Sequence, residues 1–156
     1  MKHYSGTAIY SNTFTLPDAQ LKPNNQLILD LGKVCIVAKI TLNGKDLGIL
    51  WMPPFTIEIT NSVKKGQNEL IIEPTNTWTN RLIGDEHYPR TDGYILKNAE
   101  ATPAVMPDWY TNNQPMPEGK RQTFSAFPFY KATDELQSSG LIGPVVIRTN
   151  RIFVKE

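Results

Sequence analysis

The chain has 156 residues, among them 12 prolines and 10 glycines, and its 16 basic and 15 acidic side chains leave a net charge of +1. This length suits one domain with a real hydrophobic core. The charge balance excludes a global field that would draw the protein to nucleic acid or into a membrane surface, so the expected partners are neutral molecules or protein surfaces.

Two further classes are excluded by simple sequence features. No run approaches the roughly 20 apolar residues of a membrane-spanning helix, and the first residues lack the apolar core of a signal peptide. The single cysteine, Cys35, lies in an apolar run, which excludes an internal disulfide or a Cys-based zinc site. The chain starts abruptly just before a strand, as an excised domain would. The missing signal peptide therefore says little about the localisation of the parent protein.

Apolar and polar residues alternate in several short segments, which is the pattern of half-buried strands. The predicted strands cover residues 27–31, 34–42, 55–59, 69–73 and 145–154. Asn43-Gly44 suits a type I′ turn, so the strand before it should fold back over residues 45–51 as a hairpin that Pro53-Pro54 ends. Trp51 continues this alternation, which favours a structural role. With no long amphipathic helix, the chain is predicted to be all-β, an antiparallel sandwich in one domain over residues 1–156.

Residues 84–129 form a predicted irregular insertion, rich in proline, asparagine and aromatic residues. An insertion of this length in a compact domain usually carries function or is covered by a partner. Its many aromatic residues argue against disorder. We therefore expect it to contribute to a binding surface.

The run from Asn76 to Glu86 concentrates amide, aromatic, guanidinium and carboxylate groups just after a predicted strand. A sugar site needs these groups, since an aromatic face packs on the ring and polar groups bind its hydroxyls. The candidate sugar-binding residues are Trp78, Asn80, Arg81, Asp85, Glu86 and, from the insertion, Trp109. The alternative interpretation is structural. For Arg81 we favour an internal salt bridge with Asp85 or Glu86, because a run with both charges usually satisfies itself.

No catalytic residue is assigned. Asp85 and Glu86 are adjacent, and in an extended segment they would point to opposite sides, so they would not flank one glycosidic oxygen. A calcium ion held by Asp85, Glu86, Asp92 and backbone carbonyls is an open alternative, and no cofactor is required. His3 and His87 are expected to be ordinary exposed residues.

Several segments resemble the accessory β-sandwich domain of large bacterial α-L-rhamnosidases, which is akin to the sugar-binding domain of the β-galactosidase and β-glucuronidase family. The most specific are Asn80-Arg81-Leu82-Ile83-Gly84-Asp85-Glu86 and Ser139-Gly140-Leu141-Ile142-Gly143-Pro144-Val145. A third, Leu42-Asn43-Gly44 followed by Leu47-Gly48 and Trp51, is common to galactose-binding-like folds.

This resemblance implies a galactose-binding-like jelly roll near the C-terminal end of a longer secreted or periplasmic polysaccharide-degrading enzyme, with catalysis in another domain. Such a module contacts either a neutral glycan or the catalytic domain of the parent enzyme, and calcium is frequent in the wider fold. A purely structural module should expose a flat apolar patch rather than a sugar cleft. The third and least favoured reading, an autonomous glycosidase, would need two carboxylates facing each other across a pocket.

Overall fold

The computed structural model describes residues 2–88, 94–97, 100–103, 108–115, 121–123 and 129–152. In chain order its elements are β1 (Tyr10–Thr15), β2 (Asn25–Asp30), β3 (Lys33–Cys35), β4 (Val37–Leu42), β5 (Lys45–Leu50), β6 (Thr56–Glu58), β7 (Gln67–Thr75), α1 (Thr79–Asp85), β8 (Tyr94–Lys97), β9 (Glu100–Pro103), α2 (Asp108–Thr111), β10 (Gly140–Gly143) and β11 (Val146–Arg151).

The chain divides into two compact units. The first, here called the sandwich unit, contains residues 6–77 and 138–156, and the second, the insert unit, contains residues 1–5 and 78–137. The insert unit includes the predicted insertion at 84–129, extends beyond it at both ends and also takes in residues 1–5. That the whole chain acts as one domain stays a prediction.

The sandwich unit is all-β, as predicted. It contains a four-stranded sheet in the order β1-β7-β4-β5, a three-stranded sheet in the order β11-β2-β6 and the pair β10-β3, all antiparallel. Alternate residues of β2, β4 and β7 are buried and meet in one hydrophobic core, with Leu29, Ile40 and Ile72 among its members. Burial of these apolar faces between the sheets stabilises the unit, at about 25 cal/mol per Å² of apolar surface.

The predicted hairpin is confirmed: β4 and β5 pair with Leu42 opposite Lys45. Asn43 and Gly44 have φ angles of 52° and 77°, the left-handed pair that a type I′ turn requires. The predicted single strand over residues 34–42 is wrong in one respect. It is interrupted at Ile36, because β3 pairs with β10 whereas β4 pairs with β5 and β7.

The insert unit is less irregular than the sequence suggested. Its described residues include two short helices, α1 and α2, and the antiparallel hairpin of β8 and β9, in which Tyr94 lies opposite Pro103. Within the described part of the chain, no helix has both the length and the hydropathy needed to cross a membrane.

Candidate functional site

The helix α1 contains three of the six predicted sugar-binding residues, and two more, Trp78 and Glu86, flank its ends. It starts after Trp78, whose side chain makes no capping hydrogen bond, and it buries Asn80, Ile83, Gly84 and Asp85. Residues three and four apart lie on the same helix face, so this spacing places one face inward. The expectation that Asp85 and Glu86 lie in an extended segment is therefore wrong, because the chain is helical up to Asp85 and Glu86 caps the helix end.

Asp85 is the centre of a polar network inside the insert unit. Its side chain is fully buried, and one carboxylate oxygen accepts hydrogen bonds from the backbone N–H groups of Gln122 and Thr123 and from the Thr123 hydroxyl. The other oxygen lies 2.9 Å from Nη2 of Arg81. The predicted internal salt bridge of Arg81 is thus confirmed, and a buried carboxylate with this many donors ties two distant segments together.

Two more residues of the run are held by partners that no sequence pattern indicated. Nη2 of Arg121 lies 2.6 Å from Oε1 of Glu86, in a largely buried ion pair. The Asn80 amide donates to the backbone carbonyl of Gln137 and accepts from its N–H, each at 2.8 Å. Arg121 lies 35 residues after Glu86, and Gln137 lies 57 residues after Asn80. Only the opposite charges of Arg121 and Glu86 gave any hint of their pairing.

Gly84 in α1 lies directly against the side chain of His3. A Cβ atom placed on Gly84 would lie 2.5 Å from Cβ and Cγ of His3, so only glycine permits this approach. The rings of His3 and His87 have centroids 5.4 Å apart. Desolvation and the neighbouring imidazole of His87 lower the pKa of His3. Its side chain is partly exposed, rather than simply exposed as expected.

The two tryptophans of the candidate site are more exposed than its buried polar residues Asn80 and Asp85. Trp78 is 63% exposed, so its indole face is available to a ligand. Trp109 lies in the one-turn helix α2 and is half-buried. Sugar contact by the six residues stays a prediction, and Trp78 offers the most accessible surface for it.

The carboxylates at this place do not fit a calcium ion. Asp85 is surrounded by N–H and guanidinium donors, and Glu86 is engaged by Arg121, whereas calcium needs six to eight oxygen ligands. Among the described residues, no cluster of three or more His, Cys, Asp or Glu side chains is close enough to hold a metal. Asp92, the third ligand suggested by the sequence, lies outside the described residues, so calcium elsewhere stays a prediction.

A second surface lies at one end of the sandwich unit. Ala38 pairs with Leu50, the last residue of β5, and Trp51 and Met52 follow directly, while Ile36 directly precedes β4. Ile36, Trp51 and Met52 are more than half exposed, and so is Ile49 on the same strand. We call these four residues the apolar end. Trp51, expected to be structural, is 70% exposed, because it follows the end of β5, which is the edge strand of its sheet.

Comparisons with known proteins point to one enzyme class. No protein-family profile matches the chain. It is 46% identical over 150 residues to a Formosa agariphila protein named "Putative beta-glucuronidase", covering 94% of this chain and 12% of that protein. A solved rhamnosidase from Novosphingobium sp. PP1Y is 35% identical, with a TM-score of 0.69, covering 96% of this chain and 11% of that one.

The homologues of this chain are glycoside hydrolases. The chain spans only about a tenth of the length of either protein, while nearly all of the chain takes part in both matches. It therefore corresponds to one segment of much longer polypeptides.

Proposed function

We propose that this chain is a non-catalytic accessory module of a larger glycoside hydrolase and that it packs against the rest of that polypeptide. The observation that carries the proposal is coverage: the similarity extends over 96% of the chain but only 11% of the rhamnosidase. We further propose that the sandwich unit has a galactose-binding-like jelly-roll fold. We also propose that the parent enzyme is secreted or periplasmic and degrades polysaccharide there.

The carboxylates of the candidate site support a non-catalytic role. Asp85 is fully buried, and its oxygens are taken by Arg81, Gln122 and Thr123. A glycosidase needs one carboxyl group to protonate the leaving oxygen and another to act as nucleophile or base, so both must reach the substrate. In this geometry Asp85 serves the stability of the insert unit.

The apolar end supports packing as the mode of action. Soluble proteins leave single apolar residues exposed, but the four large ones of the apolar end lie in or next to the paired strands β4 and β5, and a group of this kind favours an interaction site. Nearby, Lys39 and Asp46 form an ion pair of 3.3 Å on the same hairpin, which gives the surface a polar border. The apolar end therefore supports the proposal that the module packs on protein.

A second candidate function is contact with a neutral glycan. The exposed indole of Trp78 favours it, with Trp109 as the further aromatic candidate. Stacking of a sugar ring on such a face needs no change in the buried network around Asp85. The two functions use different residues and can be separated by experiment.

The test is a heteronuclear NMR titration of the isotope-labelled chain with two ligands. One is a neutral oligosaccharide containing rhamnose or galactose, and the other is the Formosa agariphila protein lacking its aligned segment. Packing predicts that the protein ligand perturbs signals of Ile49, Trp51 and Met52, because burial changes their environment. Glycan contact predicts shifts around Trp78 with the oligosaccharide.

Trp51→Ser and Trp78→Ser form a matched pair, since both tryptophans are more than 60% exposed. Packing predicts that only Trp51→Ser weakens binding of the protein, by about 2 kcal/mol as for a typical aromatic hot spot. An affinity for the protein ligand that Trp51→Ser leaves unchanged, or no binding of that protein at all, would contradict the proposal.

A further inference from the structure

We infer that a groove at the opposite end of the sandwich unit binds an acidic sugar, a uronate or sulfated residue of a glycan chain. The groove has a volume of about 560 Å³ and lies between the β1–β2 loop and the β6–β7 loop. Ligand sites commonly have volumes of about 300–1,000 Å³, so one or two sugar rings fit. The inference rests on the proposed function, which supplies the class of ligand.

Both walls of the groove are held in place by asparagine side chains. Asn68, which is fully buried, accepts from the N–H of Lys64 and donates to the carbonyls of Lys64 and Gly66. Asn25 donates to the carbonyls of Ala19 and Gln20 in the facing loop. These bonds fix both loops before any ligand arrives, which lowers the entropy lost on binding.

The lining of the groove is basic. It contains Lys22, Lys64 and Lys65 against one acid, Asp18, and Asp18 pairs with Lys65 at 3.0 Å. Two ammonium groups are therefore left over, although the whole chain has a net charge of only +1. A cleft with an excess of one sign of charge raises the local concentration of counter-ions, so the groove favours an anion.

The remaining lining matches a sugar rather than a bare ion. Leu21, Pro23 and Val63 supply apolar surface that can meet the C–H faces of a ring. Gln20 and Asn61 supply amides that donate to and accept from hydroxyl groups. The sequence-based expectation of a neutral partner considered only the total charge, which hides this local excess.

The experiment is an NMR titration of the full chain with an oligouronate, a sulfated oligosaccharide, a neutral oligosaccharide of equal length and inorganic sulfate. We expect one or both acidic oligosaccharides to shift signals of Leu21, Val63 and Lys64, with affinity falling as salt is added. The double variant Lys22→Gln, Lys64→Gln should lose about 10-fold in affinity, because it removes the two ammonium groups that are not paired with Asp18, and both are exposed to solvent.

The matched control is Lys33→Gln with Lys131→Gln, which removes the same charge from two exposed positions outside the groove. It should bind as tightly as the unchanged chain. Equal affinity for the neutral oligosaccharide, equal shifts with inorganic sulfate, an unchanged affinity of the groove variant, or no binding at millimolar ligand would each overturn the inference. None of these results involves Trp51, so the packing proposal is tested separately.

Discussion

Single residues show most clearly how a sugar-like composition can serve structure instead. The run from Asn76 to Glu86 carries the groups that a sugar site needs, yet its buried members bind other parts of the insert unit. Arg81 and Asp85 are four apart on a helix, a spacing that brings opposite charges together. That pair was predictable from the sequence. The pairing of Glu86 with Arg121 was not, because no periodicity links residues so far apart in the chain.

The role of Asp85 can be tested by removal. Asp85→Ala should destabilise the insert unit by about 3 kcal/mol or more, because Arg81 and the N–H donors lose their buried acceptor. The measurement is hydrogen exchange of the Gln122 and Thr123 amides, which should lose protection.

Asp18→Ala is the control, since its ion pair with Lys65 is exposed and should cost no more than about 1 kcal/mol. If Gln122 and Thr123 stay protected in Asp85→Ala, Asp85 does not hold this segment.

The sequence predicted some secondary-structure elements correctly and missed others. The hairpin of β4 and β5 followed from Asn43-Gly44, because that dipeptide has a steric reason to form the turn. The helix α1 was missed, since Thr, Asn and Gly are poor helix formers and Trp78 provides no side-chain cap. Tertiary partners, above all those of Asp85, stabilise this helix instead. Sequence alone does not reveal such partners.

Alanine substitutions at two glycines with left-handed backbones can distinguish the cost of backbone strain from the cost of a steric clash. Gly44 has a φ of 77° and open space around it, whereas a Cβ on Gly32, with a φ of 63°, would lie 2.5 Å from the backbone carbon of Gly143. Gly44→Ala should cost about 1–2 kcal/mol for the left-handed conformation.

Gly32→Ala should cost about 1–3 kcal/mol more, because the backbone at Gly143 must also move. The free energy of unfolding from urea titration gives both values. Equal losses for the two variants would mean that β3 and β10 do not approach as closely as described.

At the scale of the molecule, the sandwich unit has two chemically different ends. The end with Ile36, Trp51 and Met52 is apolar and exposed, and the end with the β6–β7 loop carries the basic groove. Such a division suits a module that packs on protein at one end and presents the other to substrate. Composition predicted the all-β class, but neither end, since exposure depends on which strands form sheet edges.

We propose that this chain works as a packed segment of a longer glycoside hydrolase. The most direct measurement is calorimetry of the Formosa agariphila protein in which the aligned segment is replaced by this chain, with and without Ile49→Ser and Trp51→Ser. We predict that the inserted chain unfolds together with the rest of the protein, and that the two substitutions lower this transition temperature while leaving that of the isolated chain nearly unchanged. A separate transition at the temperature of the isolated chain, insensitive to both substitutions, would contradict the account.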